Sequence, residues 1–199
     1  MTKKRTGIFG GSFNPVHNGH MAIARGMLRR SVVDEVWLMV SPQNPLKNPA
    51  SLLSEATRLE MAQLACENEE GIYASDFEFS LPRPSFTWQT LCALREAYPD
   101  REFSLLIGAD NWEIFSKWYR SKEIVEHFKI AVYPRSGSTF CPDFLPPNVT
   151  YTDMPLLDVS STEIRRRISQ GEEISTLVPR KVYEKIMRER LYANPSTLP

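Results

Sequence analysis

Two of the chain's three histidines lie in one short stretch, residues 10–20, which reads GGSFNPVHNGH. The stretch follows a predicted strand and opens a predicted helix, residues 18–30, whose apolar side chains recur at helical spacing. Ligands of open α/β sheets bind where strands end, and the N-terminus of the following helix favours anions. With Asn18 as the predicted N-cap, His17 and His20 would both face one anion. The alternative is a glycine turn that carries two solvent-exposed histidines.

A second stretch, residues 159–165 (VSSTEIR), also fits an anion site. Ser160 and Glu163 have the spacing of a capping box, which predicts a helix that starts here with free backbone N–H groups. Hydroxyl groups and one guanidinium line this predicted helix start: Ser160, Ser161, Thr162 and Arg165. Together with the N–H groups they would cradle a second anion. The alternative is an ordinary capped surface helix with a solvated run of arginines.

Several familiar kinds of phosphate or hydrolytic chemistry are disfavoured. Neither GxxxxGK[ST] nor GxGxxG occurs, which argues against P-loop enzymes, protein-kinase-like sites and dinucleotide-binding oxidoreductases. The GxSxG elbow of serine hydrolases is also missing. The HxGH pattern of residues 17–20, set between a strand and a helix, resembles that of the nucleotidylyltransferase superfamily. The SSTEIR stretch resembles the SSTxIR motif with which that superfamily holds a triphosphate.

Three further segments narrow the resemblance: residues 42–47 (PQNPLK), 84–91 (PSFTWQTL) and 108–118 (GADNWEIFSKW). In this order, and together with the two stretches above, they resemble the family of bacterial nicotinate-nucleotide adenylyltransferases over residues 7–183. Two positions depart from that family's pattern. Phe86 stands where Tyr is common and Gln89 where Asp is common, so we expect no catalytic role for either side chain.

The resemblance implies transfer of AMP from ATP to nicotinate mononucleotide, with deamido-NAD and pyrophosphate as products. The nucleophile is the substrate's own phosphate oxygen, so the protein supplies positioning and charge stabilisation. The catalytic residues implied are His17, His20 and Arg165, with the imidazoles donating to the α- and β-phosphates in a protonated form that bound phosphate favours. ATP would bring Mg²⁺, which takes few protein ligands, and we assign none.

The resemblance also implies which residues line each substrate. Those expected around ATP are Gly10, Gly11, Ser12, Phe13, His17, His20, Lys47, Gly108, Asp110, Ser160, Ser161, Thr162 and Arg165. Those expected around nicotinate mononucleotide are Asn44, Lys47, Phe86, Thr87, Trp118 and Tyr119. Trp118 would stack on the pyridine ring. Two of these residues have a structural alternative: Trp118 as a core residue and Asp110 as a helix N-cap.

Other functions stay open at this point. The acceptor could instead be nicotinamide mononucleotide or pantetheine phosphate, although the pantetheine enzymes are usually shorter and lack the pattern of residues 108–118. A non-catalytic, nucleotide-binding regulator on the same fold is a third alternative. The presence of His17, His20 and Arg165 argues against that regulator.

Composition bounds the class of protein. The chain has 199 residues, 24 basic and 24 acidic side chains and a net charge of zero, which argues against a polybasic nucleic-acid-binding protein. Three widely separated cysteines do not make a disulfide framework. No apolar run is long enough to span a membrane. We therefore expect a cytoplasmic enzyme that binds neither nucleic acid nor membrane, and a homo-oligomer is left open.

Strands and helices alternate along the chain, which predicts an α/β fold with a parallel sheet. We expect a Rossmann-like open sheet flanked by helices. The chain length predicts a single domain, residues 1–199, and the last two helices, which follow the last strand, predict a C-terminal helical cap over about residues 160–192. Predicted strands are residues 6–11, 35–40, 71–75, 102–107, 129–133 and 149–152. Predicted helices are residues 18–30, 54–66, 87–98, 122–126, 161–169 and 180–192.

Overall fold

The computed structural model of this protein describes residues 2–42, 52–138, 144–155 and 159–193. Its strands are β1 (Lys4–Gly11), β2 (Glu35–Val40), β3 (Ile72–Ser75), β4 (Arg101–Gly108), β5 (Lys129–Tyr133) and β6 (Val149–Tyr151). Its helices are α1 (Asn18–Arg29), α2 (Glu55–Cys66), α3 (Thr87–Ala97), α4 (Ala109–Glu113), α5 (Ser121–His127), α6 (Ser161–Ser169) and α7 (Arg180–Arg188). None of the described helices is both long and apolar enough to cross a membrane.

The described strands form one sheet in the order β3-β2-β1-β4-β5-β6, and every neighbouring pair is parallel. The predicted α/β parallel sheet is therefore confirmed. From β1 the chain builds outward through β2 and β3, then returns to place β4 on the other side of β1. The strand order thus reverses between β1 and β4, and such a switch point opens a ligand-binding crevice at the carboxyl edge of the sheet.

Both faces of the sheet are buried, which explains why β2 and β5 read as nearly continuous apolar runs. Successive side chains of a strand point to opposite faces, so Phe9 joins one core cluster and Ile8 the other. The Phe9 cluster includes buried side chains of α1, α2, α6 and α7. The Ile8 cluster includes buried side chains of α3 and α5. The central strand β1 is thereby held rigidly at the switch point.

Several predicted elements have the observed bounds, namely β2, β5 and α6. Helix α4 and two 3₁₀ turns, Phe77–Ser80 and Phe115–Lys117, were not predicted, because segments of three to five residues are too short to show a periodicity. The last predicted helix is too long. It ends at Arg188, since Arg190 and Tyr192 take left-handed conformations with φ of 51° and 62°, which stop a helix.

Candidate active site

The loop between β1 and α1 crosses the carboxyl edge of the sheet as a packed turn. Phe13 has a φ of 46°, an uncommon conformation for a residue with a side chain. Its ring is only 2% exposed and lies 3.0 Å from where a Cβ on residue 11 would stand, so Gly11 leaves room for it. The ring in turn packs edge-on against His20, with centroids 5.0 Å apart. A loose glycine turn with exposed histidines is therefore wrong for this segment.

His17 and His20 form a stacked pair at the start of α1. Their ring centroids are 3.6 Å apart, and the planes differ by 28°. The backbone N–H of His17 donates to Nδ1 of His20 at 3.2 Å, so a neutral His20 carries its proton on Nε2. A Cβ at Gly19 would lie 3.0 Å from the His17 ring, which is why the residue between the histidines has no side chain.

The predicted N-cap of α1 is wrong by one residue. His17 occupies the N-cap position with an extended backbone, and Asn18 is the first helical residue. The backbone N–H of Asn18 donates to the carbonyl of Leu177 at 2.9 Å, and its side-chain amide donates to the carbonyl of Thr176 at 2.8 Å. The bond from its side-chain amide directs that side chain toward a distant turn, and His17 takes the N-cap position instead.

The His17 ring is electrostatically unusual. Burial, and secondarily the nearby Arg135 guanidinium, lower the pKa of His17 from 6.5 to about 3. His17 is therefore neutral in the ligand-free protein, and its protonation by a bound phosphate stays a prediction. Its Nδ1 atom is buried and has no hydrogen-bond partner among the described residues. An unpaired buried polar atom is costly, and such an atom at the predicted anion site fits a site that a ligand completes.

The two predicted anion stretches meet in space. As predicted, Ser160 caps α6, and its hydroxyl accepts from the backbone N–H of Glu163 at 3.1 Å. The hydroxyl of Ser161 donates to the carbonyl of Pro15 at 2.9 Å, and Nη1 of Arg165 donates to the carbonyl of Asn14 at 2.8 Å. The start of α6 therefore anchors the loop that carries the histidines. An ordinary solvated helix start does not describe it.

The ends of β4 and β5 close the other side of this region. Gly108 is buried, and a Cβ there would collide with Oδ1 of Asp110 and lie 2.7 Å from Cγ of Arg135. Nε of Arg135 lies 3.8 Å from Oδ1 of Asp110. Gly108 is the N-cap of α4, with Asp110 in the first turn, so the N-cap alternative for Asp110 is wrong.

Sequence reasoning missed Arg135, although one signal could have found it. Its position two residues past the end of β5 places it at the same carboxyl edge as residues 12–20 and Gly108. It also missed Arg58, a fully buried guanidinium. Arg58 donates to the carbonyls of Ser12, Ser41, Pro42 and Leu53 at 2.7 to 3.0 Å. Backbone carbonyls leave no mark in a sequence, so this role could not be predicted.

The residues expected around the acceptor occupy the start of α3 and the segment before α5. Thr87 begins α3, and Oε1 of Gln89 accepts from the backbone N–H of Phe86 at 3.1 Å, which secures that helix start. The rings of Phe86 and Tyr119 lie 5.1 Å apart and are 39% and 47% exposed. Trp118 is half-buried, with its ring 5.2 Å from that of Phe115, so packing also holds it. Asn44 and Lys47 lie outside the described residues.

Another cleft, with a volume of about 780 Å³, lies at the opposite, amino edge of the sheet. Its basic lining side chains include Lys3, Arg5, Arg95, Arg101 and Lys129. Three of these cations already pair with carboxylates, Arg5 with Asp34, Arg101 with Glu35 and Lys129 with Glu102. Because α/β sheets bind ligands at the carboxyl edge, the region around His17 and His20 is the better candidate.

Known proteins are similar to this chain over most of its length. A family model described as cytidylyltransferase-like matches residues 8–167. The chain is 47% identical over 189 residues to a probable nicotinate-nucleotide adenylyltransferase of Bacteroides fragilis, covering 95% of this chain and 94% of the relative. It is 42% identical over 192 residues to a protein of the same name from Cytophaga hutchinsonii, covering 96% and 99%.

Solved structures show the same fold. The Plasmodium falciparum nicotinic acid mononucleotide adenylyltransferase complexed with NaAD superposes with a TM-score of 0.80 at 19% identity, covering 95% of this chain and 97% of that one. A putative nicotinate-nucleotide adenylyltransferase from Vibrio parahaemolyticus superposes with a TM-score of 0.70 at 25% identity, covering 95% of both chains.

Proposed function

The chain belongs to the cytidylyltransferase-like family, and we propose that it is a nicotinate-nucleotide adenylyltransferase. It transfers AMP from ATP to nicotinate mononucleotide and releases pyrophosphate and deamido-NAD, a step of NAD biosynthesis. Relatives with that name, at up to 47% identity over nearly the whole chain, support this activity. The segment of residues 12–20, which carries both histidines, is called the HxGH loop below. The observation that carries the proposal is that Ser161 and Arg165 of α6 hydrogen-bond to this loop.

We propose that the triphosphate of ATP lies between the starts of α1 and α6. His17 and His20 donate to its α- and β-phosphates, and Arg165 neutralises the leaving pyrophosphate. A bound triphosphate favours the protonated form of an imidazole, so it counteracts the burial that keeps His17 neutral. The proposed ATP lining is Gly10, Gly11, Ser12, Phe13, His17, His20, Gly108, Asp110, Ser160, Ser161, Thr162 and Arg165, with Lys47 still a prediction. Gly10 has open space where a Cβ would stand, which leaves its backbone accessible to a nucleotide.

The reaction needs no protein nucleophile. An oxygen of the acceptor's phosphate forms a bond to the α-phosphorus of ATP, and the bond from that phosphorus to the bridging oxygen breaks. Pyrophosphate leaves with the electron pair. The chain's contribution is the alignment of the two phosphates and donors aimed at the developing charge.

Mg²⁺ enters this proposal as part of the substrate MgATP. Bound to ATP, it would keep several of its waters and take few protein ligands. Within the described ranges, no group of three or more His, Cys, Asp or Glu side chains could hold a metal ion. We assign the ion no protein ligand.

The cytoplasmic location of the protein stays a prediction.

The proposed acceptor site lies where α3 begins, with Phe86, Thr87, Trp118 and Tyr119 around the pyridine ring. Asn44 and Lys47 complete the predicted set. None of these six side chains is acidic, so none repels the carboxylate of nicotinate. An amide in place of the carboxylate would set N–H groups against N–H donors, and an unpaired buried donor costs about 1–3 kcal/mol.

Pyrophosphate release with three acceptors tests the proposal. Nicotinate mononucleotide, nicotinamide mononucleotide and pantetheine phosphate are compared side by side with MgATP, and the dinucleotide product is identified by mass. We expect kcat/KM for the acid to exceed that for the amide by about tenfold to a hundredfold, and no product with pantetheine phosphate. Equal values for acid and amide would contradict the acceptor assignment. No release with any acceptor would favour a non-catalytic nucleotide-binding protein.

A further inference from the structure

The chain beyond α7 folds back toward the HxGH loop. The backbone N–H of Leu191 donates to the carbonyl of Ile186 at 3.0 Å, and left-handed conformations at Arg190 and Tyr192 turn the chain. Leu191 and Tyr192 pack against the core cluster that also contains Phe13 and Met21. This turn brings Tyr192 into contact with Asn14, which lies in the loop between β1 and α1.

The hydroxyl of Tyr192 donates to Oδ1 of Asn14 at 2.8 Å, across 178 residues of sequence. Burial raises the pKa of the Tyr192 phenol, so the hydroxyl stays protonated and remains a donor throughout the working pH range. The same Oδ1 accepts from the backbone N–H of Leu53 at 3.3 Å. Asn14 is only 4% exposed, so little water could replace these donors.

Asn14 is also the residue of the loop to which Arg165 hydrogen-bonds. Its backbone carbonyl accepts from Nη1 of Arg165 at 2.8 Å, and the next carbonyl, of Pro15, accepts from Ser161 at 2.9 Å. A rotation of the Asn14 peptide would therefore move the guanidinium and the two residues that lead into His17. Catalytic groups must stay within about 0.5 Å of the productive geometry. Loss of the hydrogen bond from Tyr192 to Asn14 is therefore expected to lower kcat.

We propose that Tyr192 is a positioning residue for adenylyl transfer. It acts through Asn14, whose side chain it orients and whose carbonyl then fixes Arg165 and the approach to His17 and His20. It touches neither substrate. The inference rests on the proposed function, and it adds to that function a contribution from the C-terminal turn of the chain.

Tyr192→Phe tests the proposal, because it removes the hydroxyl and keeps the packed ring. The matched control is Tyr183→Phe on α7, a half-buried tyrosine that packs on the same cluster and whose hydroxyl makes no hydrogen bond within the described residues. We expect Tyr192→Phe to lower kcat about three- to tenfold, about 0.7–1.4 kcal/mol of transition-state stabilisation. The KM for MgATP should stay within about twofold, and the melting temperatures of both variants should agree within about 3 °C. A kcat equal to that of Tyr183→Phe would overturn the proposal.

A double-mutant cycle with Asn14→Ala separates positioning from packing. If Tyr192 acts through Asn14, Tyr192→Phe should change kcat little in the Asn14→Ala background, because the acceptor is already gone. Effects on kcat that simply multiply in the double variant would overturn the proposal even if the single variant is impaired or unstable. A wild-type protein that releases no pyrophosphate would instead contradict the proposed function itself.

Discussion

His17 and His20 are neighbours with different surroundings, and the difference suggests different tasks. His17 is almost wholly buried, at 3% exposure, and neutral. His20 is half-buried, stands in the first turn of α1, and has its ring held by Phe9, Phe13 and His17. A ring fixed on three sides costs little reorganisation when charge develops on a nearby phosphate.

We expect His20→Ala to lower kcat about 10²- to 10³-fold, the usual cost of losing one donor to developing charge. The dissociation constant for MgATP, measured by calorimetry, should change by less than about threefold, because such a donor acts mainly in the transition state. His127→Ala is the control, since it removes the third histidine, which lies at the end of α5. Near-normal turnover of His20→Ala at saturating substrates would remove His20 from the catalytic assignment.

The low pKa of His17 is open to direct measurement. With three histidines in the chain, imidazole ¹⁵N spectra can be assigned by single substitutions. We expect His17 of the ligand-free protein to remain neutral from pH 8 down to about pH 5. Bound MgATP should raise the pKa of His17 above its value in the ligand-free protein.

The same shift has a consequence for stability. Between a pKa of about 3 in the folded protein and 6.5 in the unfolded chain, the unfolded chain binds the extra proton, so the free energy of unfolding should fall as pH falls through this window. A ligand-free His17 that titrates near 6.5 would contradict both expectations.

At the scale of elements, the start of α6 has two adjacent serines with separate roles. Ser160 caps the helix, so Ser160→Ala should lower the free energy of unfolding by about 0.5–2 kcal/mol. Ser161 reaches the loop at Pro15, so Ser161→Ala should lower kcat more than Ser160→Ala does. Urea denaturation and steady-state kinetics on the matched pair measure both effects. A loss of kcat confined to Ser160→Ala would contradict this division.

Much of this architecture could be predicted from sequence because its signals are local. Apolar runs mark β2 and β5, and a serine cap marks the start of α6, and these three elements have the predicted bounds. The end of α7 could not be predicted, since residues 189–192 continue an acceptable helical pattern and only tertiary contacts such as Tyr192 with Asn14 turn them away.

The candidate site likewise contains residues that could be predicted from the sequence and residues that could not. Its histidines and serines lie in two short motifs, and the expectation that these motifs serve one site agrees with their contact. Arg135 could have been found from its place just past β5, but Arg58 could not, because most of its partners are backbone carbonyls distant in sequence. Arg58 reaches the carbonyl of Ser12 across 46 residues, and carbonyl acceptors exist at every position of a chain.

At the scale of the whole molecule, the strand order determines where the chemistry can occur. Reversal of the order between β1 and β4 brings the HxGH loop and Gly108 to one crevice, and Arg135 joins them from the end of β5. The C-terminal segment returns over the same edge through α6 and Tyr192. One rigid sheet thus collects residues from both ends of the chain, while the basic cleft of the amino edge stays apart from them.

The position of a bound dinucleotide tests the central claim most directly. A crystal structure of the protein with deamido-NAD would locate the two phosphates that the reaction joins. We expect them at the starts of α1 and α6, with at least one phosphate oxygen within about 3.2 Å of a ring nitrogen of His17 or His20, and the pyridine ring beside Thr87 and Trp118. Phosphates bound in the amino-edge cleft, among Arg95, Arg101 and Lys129, would contradict the account.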